Sequence, residues 1–270
     1  ARSQRGAGAI IISADNLATT GFSSIYKAAR AAGIPIFVTE PNLVDQGATG
    51  AIRVNFFEWG KQSGQLAAQV LSGLPPSRLP ITETTNLVRI EPGSHAAATL
   101  PARKFSLRMV LYSETAFAER SREGLLDGLA KAGLKSGTDY EFREYNAQGD
   151  MTTLSSIMTT VKSDRPDLLM VISTPALQAA LRQAGPDTRM VFTGVADAVK
   201  AGAGTSDTDH LPNVTGKSTL SDFDGMVALV RQIKPSAKAI GTIYTPSEIN
   251  SVIYKDALEK AAYNKGLTLA

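Results

Sequence analysis

Along almost the whole chain, apolar runs of four to six residues alternate with segments whose apolar residues recur at helical spacing. Ala9–Ser13, Ile34–Thr39, Gly50–Asn55, Leu107–Tyr112, Tyr140–Tyr145, Asp167–Ile172, Met190–Thr193, Ala239–Tyr244 and Leu267–Ala270 read as strands. Between them, Thr19–Ala32, 58–71, Thr115–Lys131, 150–162, Pro175–Gln183, Asp222–Ile233 and Ser247–Asn264 read as helices. Phe22, Ile25, Tyr26 and Ala29 share one face of the first helix, and Gly33 suits the left-handed position that ends it. Asp150 is the expected N-cap of its helix. Continuous apolar strands joined by helices mean parallel sheets covered on both faces. The strands fall into two series, so the expected fold is α/β with two doubly wound parallel-sheet lobes.

Several functions lack their residues. The chain has no cysteine, which removes disulfides, thiolate metal sites and thiol nucleophiles. Its 28 basic and 25 acidic residues leave a net charge of only +3, with no basic run. Aromatics are only 6% of residues, so neither a nucleic-acid footprint nor a stacking platform is expected. His95 and His210 have no spaced partner, so no metal is expected. Gly216-Lys217-Ser218-Thr219 resembles the end of a phosphate loop, but residue 211 is leucine where the first glycine would stand. No Gly-x-Ser-x-Gly elbow and no readable pair of catalytic carboxylates occurs, so no enzyme and no cofactor is expected.

Ligands of parallel sheets sit beyond the carboxyl ends of the strands. Those ends carry Ser13-Ala14-Asp15-Asn16, Thr39-Glu40, Ser113-Glu114-Thr115, Ser173-Thr174, Gly194-Val195-Ala196-Asp197 and Thr245 to Ser251. Each alone is equally a helix cap. Six such ends in one chain favour a binding site. Hydroxyls and free N–H groups at helix starts receive a carboxylate. That role is expected of Ser173, Thr174 and the Ser247–Ser251 helix start. Asp15, Glu40 and Asp197 are the acids that can meet an ammonium group, with Asp15 the preferred one. Asp15→Ala is then expected to abolish amino-acid binding while leaving the fold intact. Phe56, Phe57 and Phe117 are either apolar lining or plain core.

Asp15-Asn16, Ile34-Pro35-Ile36-Phe37, Gly47-Ala48 and Phe56 to Gly64 (FFEWGKQSG) resemble the later part of the ABC-transporter substrate-binding family that includes aromatic-amino-acid binders. Asn146 to Asp150 (NAQGD), Ser173 to Ala179 (STPALQA), Asn213 to Gly216 (NVTG) and Thr245 to Ser251 (TPSEINS) resemble the family's beginning. The resemblance implies the periplasmic binding protein type 1 fold, with a small-molecule ligand closed between two lobes by hinge motion. It implies Glu114, Ser173, Thr174 and Asp197 as ligand residues on one lobe. On the other it implies Asp15, Asn16, Glu40, Glu248, Asn250 and Ser251, to which the helix-start reading adds Ser247. The implied function is an extracytoplasmic receptor, periplasmic or extracellular with or without a lipid anchor. It would bind an amino acid or related carboxylate and engage an ABC permease transiently. A ligand-sensing input module of a signalling protein is the alternative.

The order departs from the family, because its beginning here follows its end. A circular permutation and a slice of tandem modules both fit. The expected lobes are 105–212 with 56–73, and 213–270 with 8–55. Residues 74–104, which include a plausible strand at Asn86–Ile90, are the expected linker. Residues 1–9 lack the apolar stretch of a signal peptide, so a removed leader or a start inside a longer chain is expected.

Overall fold

The computed structural model describes residues 6–52, 55–83 and 103–270. The strand expected at Asn86–Ile90, His95 and most of the expected linker lie outside the described residues. The described residues of Ala1–Val54 with Ser221–Ala270 form one compact unit, and those of Asn55–Leu220 form a second.

The first unit opens with β1 (Ala9–Ile12), α1 (Asn16–Thr20), α2 (Phe22–Ala31), β2 (Ile36–Val38) and β3 (Gly50–Ala51). The chain then enters the second unit. There it forms α3 (Phe56–Leu71), β4 (Thr82–Glu83), β5 (Phe105–Leu111), α4 (Ala116–Lys131), β6 (Tyr140–Asn146), α5 (Met151–Asp164), β7 (Leu168–Ile172), α6 (Thr174–Gln183), β8 (Met190–Val195) and β9 (Val214–Ser218). It returns to the first unit as α7 (Phe223–Ile233), β10 (Ala239–Thr242), α8 (Ile249–Asn264) and β11 (Thr268–Leu269). The first unit's sheet runs β11-β10-β1-β2-β3 and the second's β4-β9-β8-β7-β5-β6. Every pairing is parallel, so the expected α/β class with two parallel sheets is what the chain forms.

β1 is central in the first sheet. Ile10 stands beside Ile36 on one side and Gly241 on the other. Ile12, Phe22, Val38 and Leu43 build the core under α2, with Ile25 and Tyr26 packed at its edge. That is the face expected from spacing, but the expected helix 19–32 is two helices. The carboxylate of Asp15 accepts from the Ala18 amide at 2.8 Å and starts α1 early, and Gly21 closes it with a bond to the Leu17 carbonyl. Gly33 has φ +65°, as a helix-ending glycine should.

In the second unit, β7 and β8 are buried throughout, which is why they read as unbroken apolar runs. β9 was not legible. Its sequence VTGKS has no apolar run, yet four of its five residues are buried. Thr215 hides its hydroxyl by donating to the Leu79 carbonyl at 2.8 Å, and a Cβ on Gly216 would sit 2.4 Å from the Phe192 carbonyl oxygen. The apparent phosphate-loop residues Gly216–Ser218 are therefore strand, and Lys217 hydrogen-bonds Thr82 of β4. β9 also falls in the second unit, whereas the expected boundary lay at 212/213. Residues 74–83 were expected to be linker. Instead they pack into this unit, with Leu79 and Ile81 buried and the Ile81 amide bonded to the Asp207 carbonyl at 2.9 Å.

α3 and α4 touch backbone to backbone. Each carries two glycines four residues apart, Gly60 with Gly64 and Gly124 with Gly128. A Cβ would come within 1.8 Å of the Ser121 oxygen at Gly60 and 2.1 Å of the Leu125 oxygen at Gly64. At Gly124 and Gly128 it would meet the Phe57 and Lys61 oxygens at 1.9 and 2.3 Å. Ser63, between the first pair, is fully buried and donates to the Phe192 carbonyl of β8 at 3.1 Å.

Candidate functional site

The expected site residues of the first unit converge at the carboxyl ends of β1, β2 and β10. Asp15 is 1% exposed, and both of its oxygens are engaged. Oδ1 accepts from the Ala18 amide at 2.8 Å and the Thr245 hydroxyl at 3.3 Å. Oδ2 accepts from the Thr245 amide at 3.1 Å and from the Ser251 hydroxyl. Asp15 thus ties the end of β1 to the turn after β10 and to the first turn of α8. These bonds stand against the expectation that its removal leaves the fold intact.

A second cluster lies alongside. Glu248 precedes α8, and its Oε2 accepts from Asn16 Nδ2 at 3.0 Å and Asn250 Nδ2 at 3.3 Å. Burial raises the pKa of Glu248, and the Asp15 charge adds to that rise. Ser247, in contrast, is exposed in the turn before the helix.

Glu40 follows β2 and is 2% exposed. Its Oε1 accepts from the Thr19 hydroxyl at 3.0 Å, while its Oε2 is buried with no partner. Desolvation pushes its pKa up to about 7, against a smaller lowering by the Thr19 bond. The neighbouring Thr39 hydroxyl is also buried and unpartnered. The Tyr254 phenol is pushed up by burial and by the charges of Asp15 and Glu40. Among the described residues, no ion pair reaches Asp15, Glu40 or Glu248. The described residues at this end of the sheet are acidic and lack an ion-paired cation.

Glu40 makes stability depend on pH. Between pH 4.5 and 7 the unfolded carboxyl has lost its proton and the folded one retains it. The native state then binds more protons, so stability falls as pH rises through that window, by about 3 kcal/mol in all, and is flat above it. Urea denaturation of wild type and Glu40→Gln at pH 4.5 and 7.5 measures this, with the fall expected to be about 3 kcal/mol larger in wild type.

In the second unit the strand ends divide into two groups. Glu114 is exposed, and the adjacent Thr115 caps α4 through the Ala118 amide at 3.1 Å. Asp197 accepts from the Lys200 amide at 2.9 Å and faces the Lys200 ammonium at 3.7 Å, as a residue capping its own turn does. Thr174 is buried and accepts from the Ala196 amide at 3.2 Å.

Ser173 is different. It has φ 98° and ψ 157°, a region nearly reserved for glycine. Its hydroxyl is buried with no partner, and so is that of Thr193 on β8, whose carbonyl accepts from the Ser173 amide at 3.1 Å. Ser173→Gly is therefore expected to raise the unfolding free energy by about 1 kcal/mol, and Ser173→Ala is not. Calorimetric melting of the two variants checks this.

Aromatic rings stand at the same end of this sheet. Phe117 packs on Gly194, where a Cβ would lie 2.1 Å from the ring. Phe56 meets Phe117 and Trp59 edge-on, at centroid distances of 5.2 and 5.4 Å. Phe56 and Phe117 are buried, which favours the core reading, and the Trp59 indole N–H has no partner. Phe57 is half-buried.

Thr39 and Thr245 stood at the expected strand ends without an assigned role, and Thr193 and Tyr254 were not among the expected site residues. Tyr254 lies three residues after Ser251 on α8, a helical spacing that places both on one face. Thr39 and Thr193 sit within strand ends and give no such signal. Among the described residues, no group of three metal-ligating side chains forms.

The sequence profile of a family described as ABC transporter substrate binding protein matches residues 3–90 and 110–270. A tyrosine-binding protein of Clostridioides difficile (strain R20291) is 38% identical over 144 residues, 53% of this chain and 41% of that protein. A conserved domain protein from Vibrio cholerae is similar in structure, with a TM-score of 0.58 and 33% identity. The ABC domain from Streptococcus pneumonia in complex with L-Trp gives 0.59 and 25%. Each structural match covers 62% of this chain and 56% of the other. The chain thus spans between two fifths and three fifths of the length of these relatives. The family and its relatives agree with a periplasmic binding protein type 1 fold.

Proposed function

From the premise that the chain belongs to the ABC transporter substrate binding protein family, we propose that it is a receptor for an amino acid, first of all an aromatic one. The family consists of binding proteins, not enzymes. The relatives that suggest the ligand are the tyrosine-binding protein and the domain complexed with L-Trp. The observation that carries the reading is the buried, unpartnered polar atoms at the carboxyl ends of both sheets: Glu40 Oε2 in one unit, Ser173 and Thr193 hydroxyls in the other. Buried polar atoms are nearly always paired, so such groups point to a missing partner.

In this reading the acidic end of the first unit takes the ligand's ammonium group. Ser173, Thr174 and Thr193 take its carboxylate, and Phe57, the half-buried ring, supplies an apolar wall, with Phe56 and Phe117 as the core behind it. Closure of the two units on the ligand by hinge motion is the expected mode. The partner is an ABC permease, met transiently, and the location extracytoplasmic. Among the described residues, no helix is long and apolar enough to cross a membrane.

A ligand that binds only the folded form raises its stability by mass action, by about 2.7 kcal/mol at a hundredfold excess over Kd. L-tyrosine or L-tryptophan at millimolar concentration is therefore expected to raise the calorimetric melting temperature by several degrees. No shift with either, or with any other natural amino acid, overturns the proposal.

A further inference from the structure

We propose that Glu40 is the group that receives the ammonium of an amino-acid ligand, and that it releases its own proton to solvent as the ligand binds. This rests on the receptor reading above and specifies which acid performs the recognition.

The three acids at this end of the first sheet differ in what remains free. Asp15 has both oxygens committed to Ala18, Thr245 and Ser251. Glu248 holds two side-chain amides on Oε2, from Asn16 and Asn250. Glu40 alone has an oxygen that is buried and unpartnered, while its other oxygen is fixed by Thr19. An incoming N–H donor therefore gains a partner at Glu40 without breaking an internal bond. At Asp15 it would have to displace a backbone amide or a hydroxyl.

The charge state follows from the surroundings. Among the described residues, Tyr254 of α8 feels the charges of both Glu40 and Asp15, Glu248 feels that of Asp15, and no basic side chain forms an ion pair with Glu40. Burial without a cation favours the neutral carboxylic acid, whose pKa stands at about 7. An ammonium group beside Oε2 reverses that preference, because an opposite charge at contact favours the ionised form. The step balances: the carboxylic acid and the ligand's ammonium become a carboxylate–ammonium pair, and one proton leaves to water. No covalent bond forms between protein and ligand, and the Thr19 hydroxyl bond is kept.

Affinity should then rise by about tenfold per pH unit below pH 7 and level off above it. The ligand's own ammonium and carboxylate do not change charge in the acid part of that range. The test is isothermal titration calorimetry of the full chain with L-tyrosine and L-tryptophan, at pH 6 and pH 8.5, in buffers of different ionisation enthalpy. The expected result is release of about one proton per ligand at pH 6 and almost none at pH 8.5.

Glu40→Gln keeps the size and the Thr19 contact. It should release no proton at pH 6, and at pH 8.5 it should bind about 10- to 100-fold more weakly than wild type. Glu40→Asp, which keeps the acid, should retain the proton release and serves if the glutamine variant does not fold. Binding without proton release at pH 6, or release that persists in Glu40→Gln, overturns the assignment and leaves the receptor reading standing. Absence of binding at every pH overturns both.

Discussion

Adding one methyl group at Gly60 is expected to cost the second unit about 3 kcal/mol or more, at the upper end of what overpacking does. The reason is what the new Cβ meets. At 1.8 Å from the Ser121 carbonyl oxygen it faces backbone, which cannot rotate away as a side chain can. Gly124→Ala should do the same from the opposite helix, where the obstacle is the Phe57 oxygen at 1.9 Å. Larger residues at either position should separate α3 from α4. Against a typical total stability of roughly 5–15 kcal/mol, such a loss leaves the unit marginal. The chain carries its own reporter, because its only tryptophan, Trp59, lies on α3 and is 4% exposed. Urea titrations followed by tryptophan fluorescence should show an early transition for Gly60→Ala and Gly124→Ala. Gln62→Ala, on the same helix, should stay within about 0.5 kcal/mol of wild type. A wild-type midpoint in Gly60→Ala would show that the helices can separate without loss.

Asp15→Ala is the second large effect, of about 3 kcal/mol on the first unit. The substitution removes an N-cap, typically worth about 1 kcal/mol. It also leaves the buried Ser251 hydroxyl without the carboxylate that accepts its proton, and a buried orphan costs roughly 1–3 kcal/mol; the Thr245 amide keeps its 2.7 Å bond to the Ser251 oxygen. Amide exchange reads this directly: the Ala18 amide, which donates to Asp15, should lose protection in the variant. Unchanged protection there would mean that Asp15 does not hold the start of α1. The result governs how binding data are read, since loss of ligand binding in Asp15→Ala has a structural cause available. Glu40→Gln tests recognition without that confusion.

Much of the fold was legible because buried parallel strands must be apolar on both faces. DLLMVI became β7 and AIIIS became β1 with small shifts of their ends. Caps were equally visible: Asp150 accepts from the Thr153 amide at 2.6 Å, as its position before a helix suggested. β9 escaped notice because its burial rests on a threonine hydroxyl bond and a glycine that admits Phe192, neither of which looks apolar. The early start of α1 escaped because Asp15 was read as a ligand group before it was read as a cap.

At the candidate site, residue types at strand ends located the right neighbourhood, but not who was already bonded to whom. Asp15 meets Thr245 across 230 residues of sequence, and no local spacing encodes such a pairing. The backbone strain at Ser173 is equally silent in sequence, since serine is common after strands. The motif GKQSG is part of the family resemblance. Its meaning as half of a glycine-lined helix crossing needed Gly124 and Gly128 on the other side.

The placement of β1 between β2 and β10 bears on how the chain is made. Ile10 waits for Gly241 before one edge of its strand is paired. At translation rates of roughly 5–20 residues per second, that delay is on the order of tens of seconds. α3 likewise emerges before the α4 surface that will receive it. Most of the second unit, from Phe105 to Leu220, is continuous in sequence and can collapse as it leaves the ribosome. Until β10 emerges, the edge of β1 that it pairs stays open, the kind of surface that chaperones hold and that aggregates when they do not. Expression at lower temperature or with holdase chaperones should therefore raise soluble yield, and a chain reordered to begin near residue 103 should depend on them less.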